Sequence, residues 1–124
     1  RISQVLVNLL VNSIKYSKEG GTTTIRFFDI DENILVEIAD DGIGINEIHL
    51  PRLFERFYRV EESRSRDSGG SGLGLAIVKH IIDAHQQTIN VRSTEGVGST
   101  FSFTLKNDYF PVCSLKFRLC AIIN

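Results

Sequence analysis

Asn8 and Asn12 stand four residues apart in the stretch NLLVNSIKY, and Lys15 follows three residues later. On a helix this spacing puts both amides and the ammonium on one face, one turn above another. Asparagine is a poor helix former and an awkward core residue, so two of them beside an apolar stripe invite explanation. One reading is a solvated face that carries two amides. The other is an amide carbonyl that ligates Mg2+, with Lys15 as a point charge for phosphate oxygens.

Two further stretches have the same double character. In ADDGIGI, Ala39 to Ile45, acids precede Gly-x-Gly at the end of an apolar run, which is ordinary turn chemistry. A carboxylate at a strand end can also accept a hydrogen bond from an exocyclic amine while a flat ring lies against bare glycine backbone, and this would select adenine over guanine. In DSGGSGLGLAIVKHI, Asp67 to Ile81, the glycines Gly69, Gly70, Gly72 and Gly74 lead straight into an apolar run of helical period. Each costs roughly 0.5–1 kcal/mol relative to alanine, so the stretch needs positive φ angles or a close approach of bare backbone. It is either a flexible loop ending in a packed helix or a phosphate cradle closed by a helix N-terminus. The Walker pattern fails because Leu75 and Ala76 follow Gly74. The dinucleotide fingerprint fails because a polar loop stands where a buried strand is required.

The elements that must position these residues follow from periodicity. Ile2, Val5, Leu6, Leu9, Leu10 and Ile14 recur at helical spacing, and Ser17, Gly20 and Gly21 stop that helix near Tyr16. Strands are expected over Thr22 to Phe28 and Ile34 to Ala39, joined as a hairpin across Asp29 to Asn33. A second helical region runs from about Glu47 to Val60, its regular part confined by Pro51, and polar Glu61 to Gly70 reads as a mobile loop. A third helix is expected over Leu73 to His85. A last hairpin joins Thr88 to Ser93 and Ser99 to Leu105 across TEGVG. The order helix, hairpin, helix, helix, hairpin predicts an α+β two-layer sandwich, with helices on one face of a mixed, mostly antiparallel sheet. The tail Lys106 to Asn124 alternates like a strand in SLKFRLC, but nothing in the sequence fixes where it would pair.

Composition narrows the function classes. The chain has 124 residues, enough for one domain, with 42% hydrophobic and 23% charged residues. A net charge of −1 gives no electrostatic footprint for nucleic acid or an anionic membrane. No apolar run approaches the roughly 20 residues of a membrane helix. Cys113 and Cys120 fit no C-x-x-C spacing and read as reduced thiols.

Taken together and in this order, the motifs resemble the ATP-binding domain of sensor histidine kinases, a branch of the Bergerat-fold ATPases that includes the gyrase, Hsp90 and MutL families. The resemblance spans Gln4 to Leu105: QVLVNLLVNSIKYS is similar to the N box, DDGIGI to the first glycine box, LFERFYRV to the F box, GGSGLGLAIVKHI to the second glycine box and GVGSTFSFTL to the last. The F box together with G-x-G-L-G-L favours the kinase branch. The wording of FYRVEESRSRD and HQQTINVRSTEGVGSTF is most similar to cyanobacterial and plastid-encoded sensor kinases.

The resemblance implies ATP and Mg2+ as cofactors. By it, Asn12 is the Mg2+ ligand with Asn8 beside it, and Lys15 and Tyr16 face the phosphates or the base. Asp40 holds the adenine amine, while Asp41 occupies a variable place. Gly42 and Gly44 admit the ring, Phe54 and Phe57 hinge a lid, and Arg59 reaches the γ-phosphate. Gly70, Gly72 and Gly74 line the phosphates, Ser99 or Thr100 supports the adenine site through water, and Ile45, Leu73 and Leu75 complete the nucleotide contacts. It implies catalysis by Asn12, Lys15 and Arg59, and phosphoryl transfer to a histidine on a separate dimerisation domain, with a response regulator downstream and no direct membrane contact. None of the three histidines matches the family's acceptor pattern, His-Glu/Asp-x-x-x-Pro. The expected location is the cytoplasmic side of a membrane-bound or soluble kinase, or the plastid stroma.

The expected organisation is a catalytic ATP-binding domain over 1–105, N-terminally truncated, followed by a tail over 106–124. Loss of elements before the N box is expected to bare a sheet edge. Two rivals stay open. Another Bergerat ATPase would need a carboxylate base on the first helix, and Ile2 to Lys15 contains none. A non-catalytic nucleotide-binding interaction domain would be separated from both enzymes by equilibrium binding of ATP with and without Mg2+.

Overall fold

The computed structural model describes residues 2–58, 73–106 and 119–123. Helix α1, Ile2–Lys15, buries Val5, Leu9 and Ser13 at four-residue spacing. Strands β1, Thr23–Ile30, and β2, Asn33–Asp40, form a hairpin in which Asp31 takes φ 70° at the turn. Helix α2, Gly74–Ala84, buries Val78, Ile81 and Ile82, and strands β3, Ile89–Thr94, and β4, Gly98–Lys106, form a second hairpin.

Period-two alternation sends Ile34, Val36 and Ile38 of β2 and Phe101, Phe103 and Leu105 of β4 to the same face of the sheet. There they meet Val5 and Leu9 of α1 and the buried stripe of α2 in one core. The fold is the expected α+β two-layer sandwich. The open face is polar at its centre, where Glu37 lies 3.9 Å from Arg26 and 3.6 Å from Arg92 on other strands.

Two expectations change. The sheet runs β3-β4-β2-β1-β5, and every pairing among the described strands is antiparallel. Its fifth strand, β5, Leu119–Ile123, comes from the tail and pairs with Thr23–Phe27, so the β1 edge is covered there. The region expected as helical from Glu47 to Val60 is a 3-10 helix over Glu47–Arg52 followed by turns. Pro51 removes a backbone donor, and Phe57 takes φ 66°, which no right-handed helix accommodates. The part of this region beyond Tyr58, and the loop expected over 61–70, lie outside the described residues.

Candidate functional site

The inward ends of β2 and β4 meet the last turn of α1. Asp40 closes β2 and pairs in register with Ser99 at the start of β4. Its Oδ1 accepts the Gly42 N–H at 2.9 Å and the Ser99 N–H at 3.3 Å. Ser13, on the buried stripe of α1, lies near this carboxylate, and its Oγ is 2.6 Å from Thr23 Oγ1. Burial pushes the Asp40 carboxyl above the usual carboxylate range, and the Gly42, Ser99 and Ser13 hydrogen bonds only partly offset this. A half-buried acid whose Oδ1 is held by two backbone donors, at the end of a sheet, suits the reception of a polar hydrogen.

The loop after Asp40 is stitched to its neighbours by backbone. Ile43 N donates to the Tyr16 carbonyl at 3.2 Å, and Gly96 N donates to the Ile43 carbonyl at 2.7 Å. A Cβ on Gly42 would drive into the Tyr16 carbonyl oxygen, one on Gly44 into that of Thr94, and one on Gly98 into that of Asp40. Gly44 also takes φ 73°, which side chains resist. These glycines therefore let the chain approach itself. Asp41 acts locally, because its Oδ1 accepts the Thr22 N–H at 2.8 Å and seats the start of β1.

A serine pair completes the floor. Ser93 Oγ accepts the Ile45 N–H at 2.7 Å, donates to the Gly98 carbonyl at 2.9 Å and lies 2.8 Å from Ser99 Oγ. Sequence reasoning missed Ser13, Thr23 and Ser93. Ser13 was findable, because it falls on the Val5–Leu9 core stripe, where a hydroxyl needs a partner. Ser93 was not, because its role depends on the β3–β4 register that sets it opposite Ser99.

The other expected residues divide clearly. Asn8, Asn12 and Lys15 share α1, with Asn8 Nδ2 donating to the Gly74 carbonyl at 3.5 Å and Lys15 Nζ lying 5.7 Å from the centre of the Tyr16 ring. Leu73 caps α2 without a side-chain hydrogen bond, Leu75 packs against the core, and a Cβ on Gly74 would meet nothing within 4 Å. Ile45 is a core residue, with only its backbone turned to Ser93. Thr100 lies on the opposite face of β4 from Ser99, because neighbouring residues of a strand alternate; it pairs with Ala39 on the open side of the sheet. Phe54 packs edge-on against Phe101, centroids 6.3 Å apart, whereas Phe57 is 67% exposed. Arg59, Gly70 and Gly72 lie outside the described residues.

The chain is similar to known proteins in sequence and in fold. The chain is 45% identical over 95 residues to the phosphate regulon sensor protein PhoR of Pseudomonas aeruginosa, an alignment covering 77% of this chain and 21% of PhoR. It thus spans about a fifth of that relative's length. The solved structure of the mycobacterial sensor histidine kinase MprB superposes with a TM-score of 0.73 at 33% identity, over 83% of this chain and 70% of that one. Full-length ShkA, solved in complex with AMPPNP, superposes with a TM-score of 0.71 at 30% identity, over 84% of this chain and 21% of that one. The pattern of the histidine kinase-, DNA gyrase B- and HSP90-like ATPases matches residues 1–109, and the chain belongs to that family.

Proposed function

We propose that this chain is the catalytic ATP-binding domain of a two-component sensor histidine kinase, which transfers the γ-phosphoryl group of ATP to a histidine on a separate dimerisation domain, with a response regulator downstream. The carrying observation is Asp40, a half-buried carboxylate at the end of the sheet whose Oδ1 accepts the Gly42 and Ser99 N–H groups; a carboxylate has about four acceptor sites, so capacity is left to receive the adenine amine. The likeness to sensor kinases, and the AMPPNP that ShkA holds, support the same reading.

Mg2+ fits the donors at hand. Among the described residues no three His, Cys, Asp or Glu side chains gather into a cage, so the ion would take most of its ligands from phosphates and water. Asn12 would supply an amide oxygen, and the bound ion would neutralise charge on the phosphate oxygens. Asn8, bonded to the Gly74 carbonyl, ties the helix that carries Asn12 to the start of α2. Lys15 and Tyr16 would flank the nucleotide, Arg59 would reach the γ-phosphate, and Gly70, Gly72 and Gly74 would line the phosphates. Transfer then rests on positioning and charge neutralisation. The domain would run over 1–105, with the tail 106–124 adding β5. Among the described residues no helix is long and apolar enough to cross a membrane. The likeness to the catalytic part of sensor kinases supports a place in the cytoplasm.

Calorimetry on Asp40→Asn tests the base site. The amide turns an N–H toward the adenine amine, and affinity for ATP should fall at least about tenfold. Unchanged affinity would remove Asp40 from the site. Transfer is tested with γ-labelled ATP: the chain should label an added acceptor domain from its own parent and not itself, and Asn12→Asp should suppress that labelling. Acid-labile label on the isolated chain, lost on mutation of His49, His80 or His85, would sink the two-domain reading.

A further inference from the structure

The mechanism leaves Ser93 unused, yet its hydroxyl joins three backbone segments that meet at Asp40. A hydroxyl has one hydrogen and two lone pairs. Ser93 spends the hydrogen on the Gly98 carbonyl, which can only accept, and one lone pair on the Ile45 N–H. The remaining contact, 2.8 Å to Ser99 Oγ, must therefore carry Ser99's hydrogen toward Ser93. Ser99 has then no hydrogen to offer elsewhere, and its free lone pairs make it an acceptor.

Ser99 stands beside the base site, since its own N–H bonds to Asp40 Oδ1 at 3.3 Å and the two residues are register partners on the inward face. Ionised Asp40 is also purely an acceptor. Two acceptors side by side match a group with two N–H bonds, an exocyclic amine, and repel a carbonyl oxygen in the same place.

We infer that Ser93 is a specificity-determining residue: by fixing the direction of the Ser99 hydrogen bond, it makes the site accept an amino group and reject a carbonyl at the six-position of a purine. Ser93 touches no base itself and acts through Ser99. With Ser93 truncated, the Ser99 hydroxyl is released to turn and donate to a carbonyl. The inference rests on the reading of Asp40 as the base site.

The test compares ATP with inosine triphosphate, which carries a carbonyl where ATP carries the amine, by calorimetry on the full 124-residue chain. Ser93→Ala should lower the ATP-to-ITP affinity ratio about tenfold. Ser93→Thr, which keeps the hydroxyl, should hold the ratio at the unmutated value. Should Ser93→Ala fail to fold, Ser99→Ala carries the test, because it removes the acceptor and should lower the ratio to a similar extent. On the Ser99→Ala background, Ser93→Ala should cause no further change. A purely structural role would weaken both nucleotides equally, and an unchanged ratio would overturn the inference. Failure of the underlying reading looks different: the unmutated chain would not bind ATP, or Asp40→Asn would bind it unchanged, and either result overturns both.

Discussion

Two glycine-bearing regions of this chain look alike in sequence and differ in structure. Around Asp40, the places where Cβ atoms of Gly42, Gly44 and Gly98 would stand are filled by the chain's own carbonyl oxygens, from Tyr16, Thr94 and Asp40. At the start of α2, the place beside Gly74 is open. The first set brings the end of α1, the loop after β2 and the β3–β4 hairpin close enough to share hydrogen bonds, and so builds the floor on which Asp40 sits. Nothing inside the described chain demands a glycine at Gly74, which leaves room for something outside it. A glycine motif can thus serve a site in two ways: by letting the protein fold against itself, or by leaving space for what binds.

The largest effects should come from filling the first region. Gly42→Ala or Gly44→Ala forces a side chain against backbone that cannot swing aside, and at Gly44 adds the strain of a positive φ. Each should destabilise the fold by about 3–5 kcal/mol, in the range of the most damaging single substitutions. Urea denaturation checks this. A loss below about 1 kcal/mol at Gly42 would mean that the approach of Tyr16 to Gly42 is not the close contact described.

How much of this was legible in the sequence follows from the same contrast. Periodicity located α1, α2 and both hairpins, because each buries one stripe or one alternating face against a single core. It failed over Glu47 to Tyr58, where apolar residues at helical spacing are overruled by Pro51 and the left-handed Phe57. The acid at the strand end was conspicuous, but acids before Gly-x-Gly are also ordinary turn chemistry, and the resemblance to the family, not the spacing, assigned it the base. The resemblance to the family had already divided the doubled acid; what the fold adds is the contacts, with Asp40 turned inward and Asp41 accepting the Thr22 N–H. Which of Ser99 and Thr100 shares the inward face with Asp40 was likewise a matter of phase, readable only from the register of β4. Glycine was the least legible residue, since its sequence signal is the same whether carbonyl or ligand fills the space.

An intermediate effect is expected from pH. Burial raises the Asp40 carboxyl above its ordinary value, so in the free protein it takes up a proton at a higher pH than an exposed aspartate does. A protonated carboxyl cannot offer both oxygens as acceptors, and ATP affinity should fall as pH drops through that raised value. The effect on stability has the opposite sign. A carboxyl with a raised folded-state pKa binds its proton more tightly when folded, so its contribution is present below the unfolded value and is lost as pH rises through the folded one. Asp40→Asn should abolish both dependences in that window. Calorimetric titrations and melts across the acidic range measure them, and an Asp40→Asn chain that keeps the ATP dependence would assign it to another group.

The smallest effect on the fold should come from Gly74→Ala. Alanine is favoured over glycine in a helix by about 1 kcal/mol, and the first helical position realises only part of that gain. Leu73 offers no side-chain cap for the substitution to disturb, and an added methyl meets nothing within 4 Å. The nucleotide-free chain should therefore melt within about 1 kcal/mol of the unmutated one, on the side of greater stability. Binding should respond differently. If the open space at the head of α2 admits phosphate oxygens to bare backbone, the methyl stands in their way, and affinity for Mg-ATP should fall while affinity for adenosine, which has no phosphates, is unchanged. This split tests the contrast between the two regions directly, because Gly42→Ala should lower affinity for both ligands together with the fold. Equal binding of Mg-ATP before and after Gly74→Ala would show that the space beside Gly74 is merely solvent, and that the second glycine stretch owes its composition to something other than the triphosphate.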